Sequence, residues 1–370
     1  MKALASLQLD HGTRACERCL TRSWLLDRLS GSLERVGADL EAVLKLADAE
    51  LIAAVAGRRR DAVAAELERL DLARVRAGSQ AAGIDLICRC DANYPAHLRS
   101  LESPPAVLHV VGGLEHTLDL LAADAVAIVG ARRASGYGLE VARSLGRGLA
   151  AAGVTVISGM ALGVDSAAHA GALAVHGATV AVLPGGADRP YPASRRALYA
   201  RIVATGSVIS ELPAGAAVRR WTPPARNRLI AALATMTVVV EATERSGALL
   251  TATRARELGR ALGAVPGRVT SPLATGPNAL IRAGATLIES AEDVLDELFG
   301  EGMVRAAGRP PAPLNDELER LLGAIGAGRD TLAALSGAGF APDQALAGLT
   351  ALELEGYIRR EAGGRFVVVP

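Results

Sequence analysis

Several short segments of this 370-residue chain combine glycine, a small hydroxyl or an acid, and arginine, the side chains that surround a phosphate. The first reads Gly130-Ala131-Arg132-Arg133-Ala134-Ser135-Gly136-Tyr137-Gly138. Gly130 lets the chain turn sharply off the apolar run before it, and Ser135 is suited to cap the helix that should follow. The free N–H groups of that helix favour an anion, which Arg132 is placed to complete. The second segment is Ser158-Gly159-Met160-Ala161-Leu162-Gly163-Val164-Asp165. Its glycines Gly159 and Gly163 allow backbone amides close to a ligand, and Asp165 is a candidate cap. Pro184-Gly185-Gly186-Ala187-Asp188 with Tyr191-Pro192, and then Ser210-Glu211-Leu212-Pro213, have the same character. Arg226-Asn227-Arg228 places two arginines around an amide donor at the expected start of a helix. A surface ion pair is the bland reading there and a phosphate clamp the sharper one. After Glu241, Ser246-Gly247 opens one more helix. One such turn is weak evidence, but several on one sheet edge suit a ligand with many phosphates. The first segment is not GxGxxG, so no dinucleotide is implied.

Other groups point to other chemistry. Asp165 and His169 share a helix face at i, i+4, a spacing that serves acid–base work or a metal but more often serves capping and packing. Cys16, Cys19, Cys88 and Cys90 are the only cysteines. Cys16-x-x-Cys19 has zinc-knuckle spacing and Cys88-x-Cys90 is a looser pair. Together they make a candidate structural zinc site, with four free thiols as the alternative. No other cofactor is expected. All but Lys2 and Lys45 of the 40 basic residues are arginine, and neither lysine stands in a Gly-Lys-Ser/Thr element, which argues against a P-loop ATPase. Arginine also offers the planar, bidentate phosphate recognition that lysine lacks.

The elements that must position these loops follow from the pattern of apolar residues. From about Val107, short β-branched runs alternate with helical stretches. Strands are expected at 125–129, 154–158, 178–183, 207–210 and 237–241, with helices at about 138–152, 165–177, 193–204, 228–234 and 248–259. Such alternation predicts an α/β fold, a Rossmann-like doubly wound parallel sheet with helices on both faces. Its ligand would sit at the carboxyl ends of the strands, where the glycine-rich loops lie. Residues 1–85 read as a small helical module of SAM-like or helix-hairpin-helix-like size, 86–300 as the Rossmann-like core, and 301–313 as a Gly/Pro/Ala linker. Residues 314–370 read as three amphipathic helices and a terminal hairpin, the outline of a winged helix. The third of these helices carries Asp343, Glu353 and Glu355 and no basic residue, which favours a structural or protein-binding role over a grip on duplex DNA.

The formal net charge of +1 excludes a histone-like basic protein but not a local basic groove. No uncharged apolar run reaches the ~18 residues of a membrane span, and the first residues lack a secretion signal, so no membrane partner and a cytoplasmic location are expected.

The ordered set GARRASGYG, SGMALGVDSAAH, Asp188 with Tyr191-Pro192, Ser210-Glu211, RNRLIAAL, VEATERSGALLTA, Pro266-Gly267 and GPNALIRAGA resembles the DNA-processing protein A family (DprA/Smf). The likeness runs from about Tyr94 to Asp293. It implies a Rossmann-like core that binds single-stranded DNA, a homodimer, and loading of the RecA recombinase onto incoming strands in natural transformation, with no catalysis. A helical module before the core and a winged helix after it also recur in the family. Carried over residue by residue, Arg132, Ser135, Arg226, Asn227 and Arg228 become backbone contacts, with Gly130, Ser158, Gly159, Gly163 and Gly247 at the close-approach loops. The chain departs from the pattern at Leu162, where the family usually has a basic residue. It has Trp221-Thr222-Pro223-Pro224-Ala225 before the RNR stretch, and Pro277 replaces a usual Thr. Arg133, Arg219 or Arg220 are candidates to replace the lost cation. With aromatics at 3% of residues, base stacking must be sparse, and Tyr137 and Trp221 are the nearest candidates.

Two rival functions also have some footing in the sequence. Pro184-Gly185-Gly186 is reminiscent of the lysine-decarboxylase-like phosphoribohydrolases, but Ala187-Asp188-Arg189 follows where that group has Gly-Thr and a Glu. A non-DNA-binding adaptor would show no DNA binding by the isolated core.

Overall fold

The structure, a computed structural model, describes residues 13–37, 40–300, 314, 316–354, 357–360 and 364–368. The linker expected at 301–313 lies outside them, as does Glu355. The described residues form two compact units, one ending at Gly300 and one beginning after it.

The first unit is built on a ten-stranded sheet in the order β1 (Thr13–Arg14), β2 (Asp85–Cys88), β3 (Val107–Val111), β7 (Ser207–Ser210), β6 (Thr179–Leu183), β5 (Thr155–Ser158), β4 (Ala125–Val129), β8 (Met236–Val239), β9 (Ala261–Ala264) and β10 (Thr286–Leu287). From β7 to β10 all neighbours are parallel, as the strand–helix alternation predicts. The other edge differs from a purely parallel sheet: β3 runs antiparallel to both β2 and β7, while β1 is parallel to β2. The central strands are buried on both faces. Val180 and Val182 enter one apolar cluster with Leu229 and Leu233, while Ala181 and Leu183 enter another with Leu173 and Ile202. This two-sided burial explains why the strands read as continuous apolar runs.

The helices that matter for function are α1 (Glu17–Arg28), α2 (Gly136–Ala151), α3 (Val164–Ala174), α4 (Arg196–Thr205), α5 (Thr222–Leu233) and α6 (Gly247–Glu257). Helix α3 packs between α2 and α4, and α5 packs on α6. Helix α5 starts six residues earlier than the apolar pattern suggests. Pro223 and Pro224 fall in its first turn, where the missing N–H groups have no intrahelical partner to lose. The helical residues before β2 share an apolar cluster with the core through Leu212, Ala216, Trp221 and Ala225.

The second unit has helices α7 (Asp316–Gly326), α8 (Leu332–Gly337, capped by Thr331) and α9 (Pro342–Leu354), then the antiparallel hairpin β11 (Ile358–Arg360) and β12 (Phe366–Val368). Leu321, Leu335, Leu352, Ile358 and Phe366 close its core. Three helices followed by a hairpin is a winged helix. Among the described residues, no helix is long and apolar enough to cross a membrane.

Candidate nucleic-acid interface

The sheet order places a topological switch point between β4 and β8. From β4 the chain winds outward through β5, β6 and β7, then returns to β8 on the other side and continues to β10. The loops after β4 and β8 therefore diverge, and an open doubly wound sheet presents its ligand crevice at such a point. A cleft of about 730 Å³ lies there, lined by Gly130, Arg132 and Arg133 after β4, by Thr243, Ser246 and Gly247 after β8, and by Arg219, Arg220, Arg226 and Asn227 around the start of α5. Among the described residues, five arginines line it and Asp165 is its only acid. Arg132, Arg133, Arg219 and Arg220 are exposed, so four solvent-accessible guanidinium groups line the opening.

The loops are tied to one another through backbone. The Ala131 amide donates to the Glu241 carbonyl at 2.6 Å, and Val164 donates to the Ala131 carbonyl at 3.2 Å. Asn227 Nδ2 donates to the Gly247 carbonyl at 3.1 Å. Gly163 stands at φ +80°, a conformation that favours glycine, and a Cβ there would lie 2.1 Å from the Ala131 carbonyl oxygen. Asp165 does not cap α3. Its Oδ2 turns back to accept from the amides of Gly159 and Ala161 at 3.2 and 3.4 Å, which holds the second loop in shape.

Arg226 is the floor of the cleft. It is only 6% exposed. Its Nη1 donates to the Val182 carbonyl, and its Nε is buried without a hydrogen-bond partner. Burial pushes its pKa down to about 10, Asp165 pulls it up and Arg132 pushes it down further, so it remains a cation at neutral pH. Asp165 is shifted upward by burial, against the pull of Arg226 and the two amides. Gly159 is what admits Arg226: a Cβ there would lie 2.0 Å from Nη1. His169, the partner of Asp165 in an acid–base reading, faces Thr179 instead. Its Nδ1 lies 2.7 Å from Thr179 Oγ1, which donates to the Val156 carbonyl, and burial lowers its pKa to about 3.

Five expectations for individual residues differ from the structure. Arg226, Asn227 and Arg228 do not open α5 but occupy its second turn, so their amides are spent within the helix. Arg228 does not reach the cleft: Nη2 donates to Glu211 Oε1 at 2.7 Å, Nη1 to the Ala225 carbonyl at 3.2 Å, and Nε to Ser103 Oγ at 3.4 Å. Ser158 is fully buried and its Oγ donates to the Ile128 carbonyl at 2.6 Å, tying β5 to β4. Ser135 caps α2 through Gly138, but its amide and Oγ donate to Glu241 at 2.8 and 2.6 Å. The anion at that helix N-terminus is thus the protein's own carboxylate. Trp221, a candidate for base stacking, is buried, with Nε1 donating to the Ser30 carbonyl at 2.9 Å.

Gly130, Arg132, Arg226, Asn227 and Gly247 do line the cleft, as do the suggested replacement cations Arg133, Arg219 and Arg220. Tyr191, expected in the third loop but not among the stacking candidates, lines the cleft at 37% exposure. Its signal was present, since it follows the glycine turn at the carboxyl end of β6.

Comparison with known proteins decides the family. Residues 85–299 match the model of DNA recombination-mediator protein A, and residues 305–364 that of the DprA winged helix domain. The chain belongs to the DNA recombination-mediator protein A family. It is 42% identical over 269 residues to the Mycobacterium tuberculosis protein assigned as DNA processing protein DprA, covering 70% of this chain and 68% of that one. Among solved structures it resembles DNA processing protein A of Streptococcus pneumoniae, with a TM-score of 0.62 and 31% identity over 77% of this chain and 99% of that one. It also resembles DNA processing protein A of Helicobacter pylori, a protein described for its single-stranded DNA binding mode, with a TM-score of 0.51 and 30% identity over 56% of this chain and 94% of that one. In this DprA-family chain, then, the family's Rossmann-like core carries the arginine-lined cleft.

Proposed function

We propose that the cleft grips the phosphate backbone of single-stranded DNA, and that this protein protects incoming strands and loads the RecA recombinase onto them during natural transformation. The observation that carries the reading is Arg226, a buried cation beneath four exposed arginines at the switch point, with one acid among them. A buried charge needs compensation, and Asp165 offsets only part of the local positive charge. A phosphate at the mouth would supply the rest, and the N-terminus of α6 would add its dipole. The cleft presents few groups that read base edges, so the grip is electrostatic and tolerant of sequence, with Tyr191 as one stacking platform. The family description as a recombination mediator supports the hand-over to a recombinase. A homodimer and a non-enzymatic role are part of this proposal and follow from the family resemblance of the sequence.

The test is fluorescence anisotropy with oligo-dT and matching duplex at several salt concentrations, beside Arg132→Ala/Arg133→Ala and Arg219→Ala/Arg220→Ala. Preference for the single strand is expected, with a log–log salt slope of about −0.7 per phosphate contacted, shallower in each double variant. Binding unchanged in both, or a flat salt profile in the wild type, would place the DNA elsewhere. Hand-over is read separately, as RecA filament formation on strands coated with single-strand-binding protein.

A further inference from the structure

The cysteines lie apart from the cleft, displaced along the sheet to its β1–β2 edge. Strand β1 pairs in parallel with β2, Thr13 opposite Leu86 and Arg14 opposite Ile87. Both strands therefore end at the same side, and each delivers a cysteine pair there. Cys16 immediately precedes α1 and Cys19 lies in its first turn, while Cys88 ends β2 and Cys90 follows in the turn. The four Sγ atoms lie within 4.8 Å of one another. Cys19 Sγ and Cys90 Sγ are 3.7 Å apart, and the Cys16 amide points at Cys88 Sγ from 3.4 Å.

Those distances discriminate among fates for four thiols. A disulfide brings two sulfurs to about 2.05 Å. A tetrahedral zinc with Zn–S bonds of about 2.3 Å sets its sulfurs about 3.8 Å apart, close to the Cys19–Cys90 separation. An iron–sulfur cluster spreads its thiolates over several metal atoms and needs a wider cage. We propose that Cys16, Cys19, Cys88 and Cys90 bind one structural zinc ion that staples the start of α1 to the β1–β2 edge of the sheet. Four protein ligands close the coordination sphere, so the ion holds structure and has no open position for substrate. The Cys16 amide supplies a hydrogen bond to thiolate, which offsets part of the excess negative charge of a four-thiolate site. Around it, Ala15, Leu20, Ile84, Leu86, Ala106 and Val107 form a small separate cluster. A two-residue strand and so small a core gain most from a metal cross-link, because binding free energy becomes folding free energy. The site does not rest on the DNA reading: β3, β7, β6 and β5 intervene between β2 and β4.

The experiment is metal analysis of the full chain, purified under reducing conditions without chelator from zinc-supplemented cells. One zinc per chain is expected, falling to about a tenth or less in Cys16→Ser and Cys88→Ser. Because those variants can fail to fold, the wild type is also stripped with a mercurial, reduced and titrated with Co(II). Thiolate charge-transfer bands and the intense visible bands of tetrahedral cobalt should saturate at one equivalent and vanish on adding zinc. Chelator should lower the melting temperature of the wild type. Sub-stoichiometric metal, stoichiometric iron, octahedral cobalt spectra, or a native mass showing two disulfides would each overturn the proposal.

Discussion

Arg228 donates to Glu211 across 2.7 Å with both side chains almost wholly withdrawn from water. Removing one partner leaves the other as an uncompensated buried charge, which costs about 3–5 kcal/mol. Arg228→Ala should therefore lower the denaturation midpoint sharply, whereas Arg228→Ala/Glu211→Ala should recover part of that loss. Oligo-dT affinity of the fraction that remains folded should stay near that of the wild type, because Arg228 does not line the cleft. A full-strength fold with lost DNA binding would reverse the assignment and put Arg228 on the ligand.

Arg226 and Arg228 look alike in sequence and do different work, and the reason is geometric. Two residues apart on a helix, they project on nearly opposite sides, so both cannot meet one ligand. That consequence was hidden because Pro223 and Pro224 made the helix seem to begin at Arg228. The strands of the parallel core were legible because burial on both faces leaves uninterrupted apolar runs such as Val180 to Leu183. The far edge was not: β1 has only two residues, too few for any period, and no periodicity states that β3 runs antiparallel. The cleft's glycines and exposed arginines were legible from their loops. Glu241 was not, because it closes the Ser135 cap from 106 residues away. Trp221 was also misread, since nothing local shows that helices near the N-terminus cover it.

Gly159 lies against the Arg226 guanidinium and Gly247 lines the cleft, so the two glycines matter for different physical reasons. A Cβ at Gly159 would collide with Arg226 at 2.0 Å, whereas one at Gly247 meets nothing within 4 Å. Gly159→Ala should displace the Arg226 guanidinium, weaken oligo-dT binding about tenfold or more and destabilise the fold by about 1–3 kcal/mol, as overpacking does. Gly247→Ala, in the first turn of α6, should leave stability unchanged or raise it by up to about 1 kcal/mol. Any loss of affinity there would then report close approach of a phosphate to the α6 amides. Anisotropy and chemical denaturation on the same samples separate the two effects.

His109 predicts an acid-sensitive tie between the first helix and the sheet. Its Nε2 lies 2.9 Å from Ser23 Oγ, and complete burial lowers its pKa from 6.5 to about 3. The folded state keeps the ring neutral, so between those values the unfolded chain binds more protons. Stability from this group is full above pH 6.5 and is lost as pH falls toward about 3, with a slope of up to about 1.4 kcal/mol per pH unit. Replacing it by a group that does not titrate, in His109→Gln, should flatten the stability–pH curve over that window while lowering the plateau. Parallel curves for the two proteins would show that His109 is not the group that titrates.

Leu162 tests the electrostatic reading by gain rather than loss. It sits in the second loop at 40% exposure, one residue from the cleft-lining Ala161. The family resemblance implies a basic residue at this position, where this chain has leucine, so on the proposed reading this loop lacks one cation. Leu162→Arg adds a flexible cation next to existing arginines without filling a buried space, and stability should change by less than about 0.5 kcal/mol. If the cleft tracks the backbone of a single strand, oligo-dT should bind several-fold more tightly at low salt, with a slope steeper by about 0.7. Adding Arg226→Met should abolish most of that gain, because a strand no longer seated on the cleft floor does not bring its phosphate past position 162. A gain that survives the loss of Arg226 would instead be general attraction to a more basic surface, and would argue for a DNA path outside the switch-point cleft.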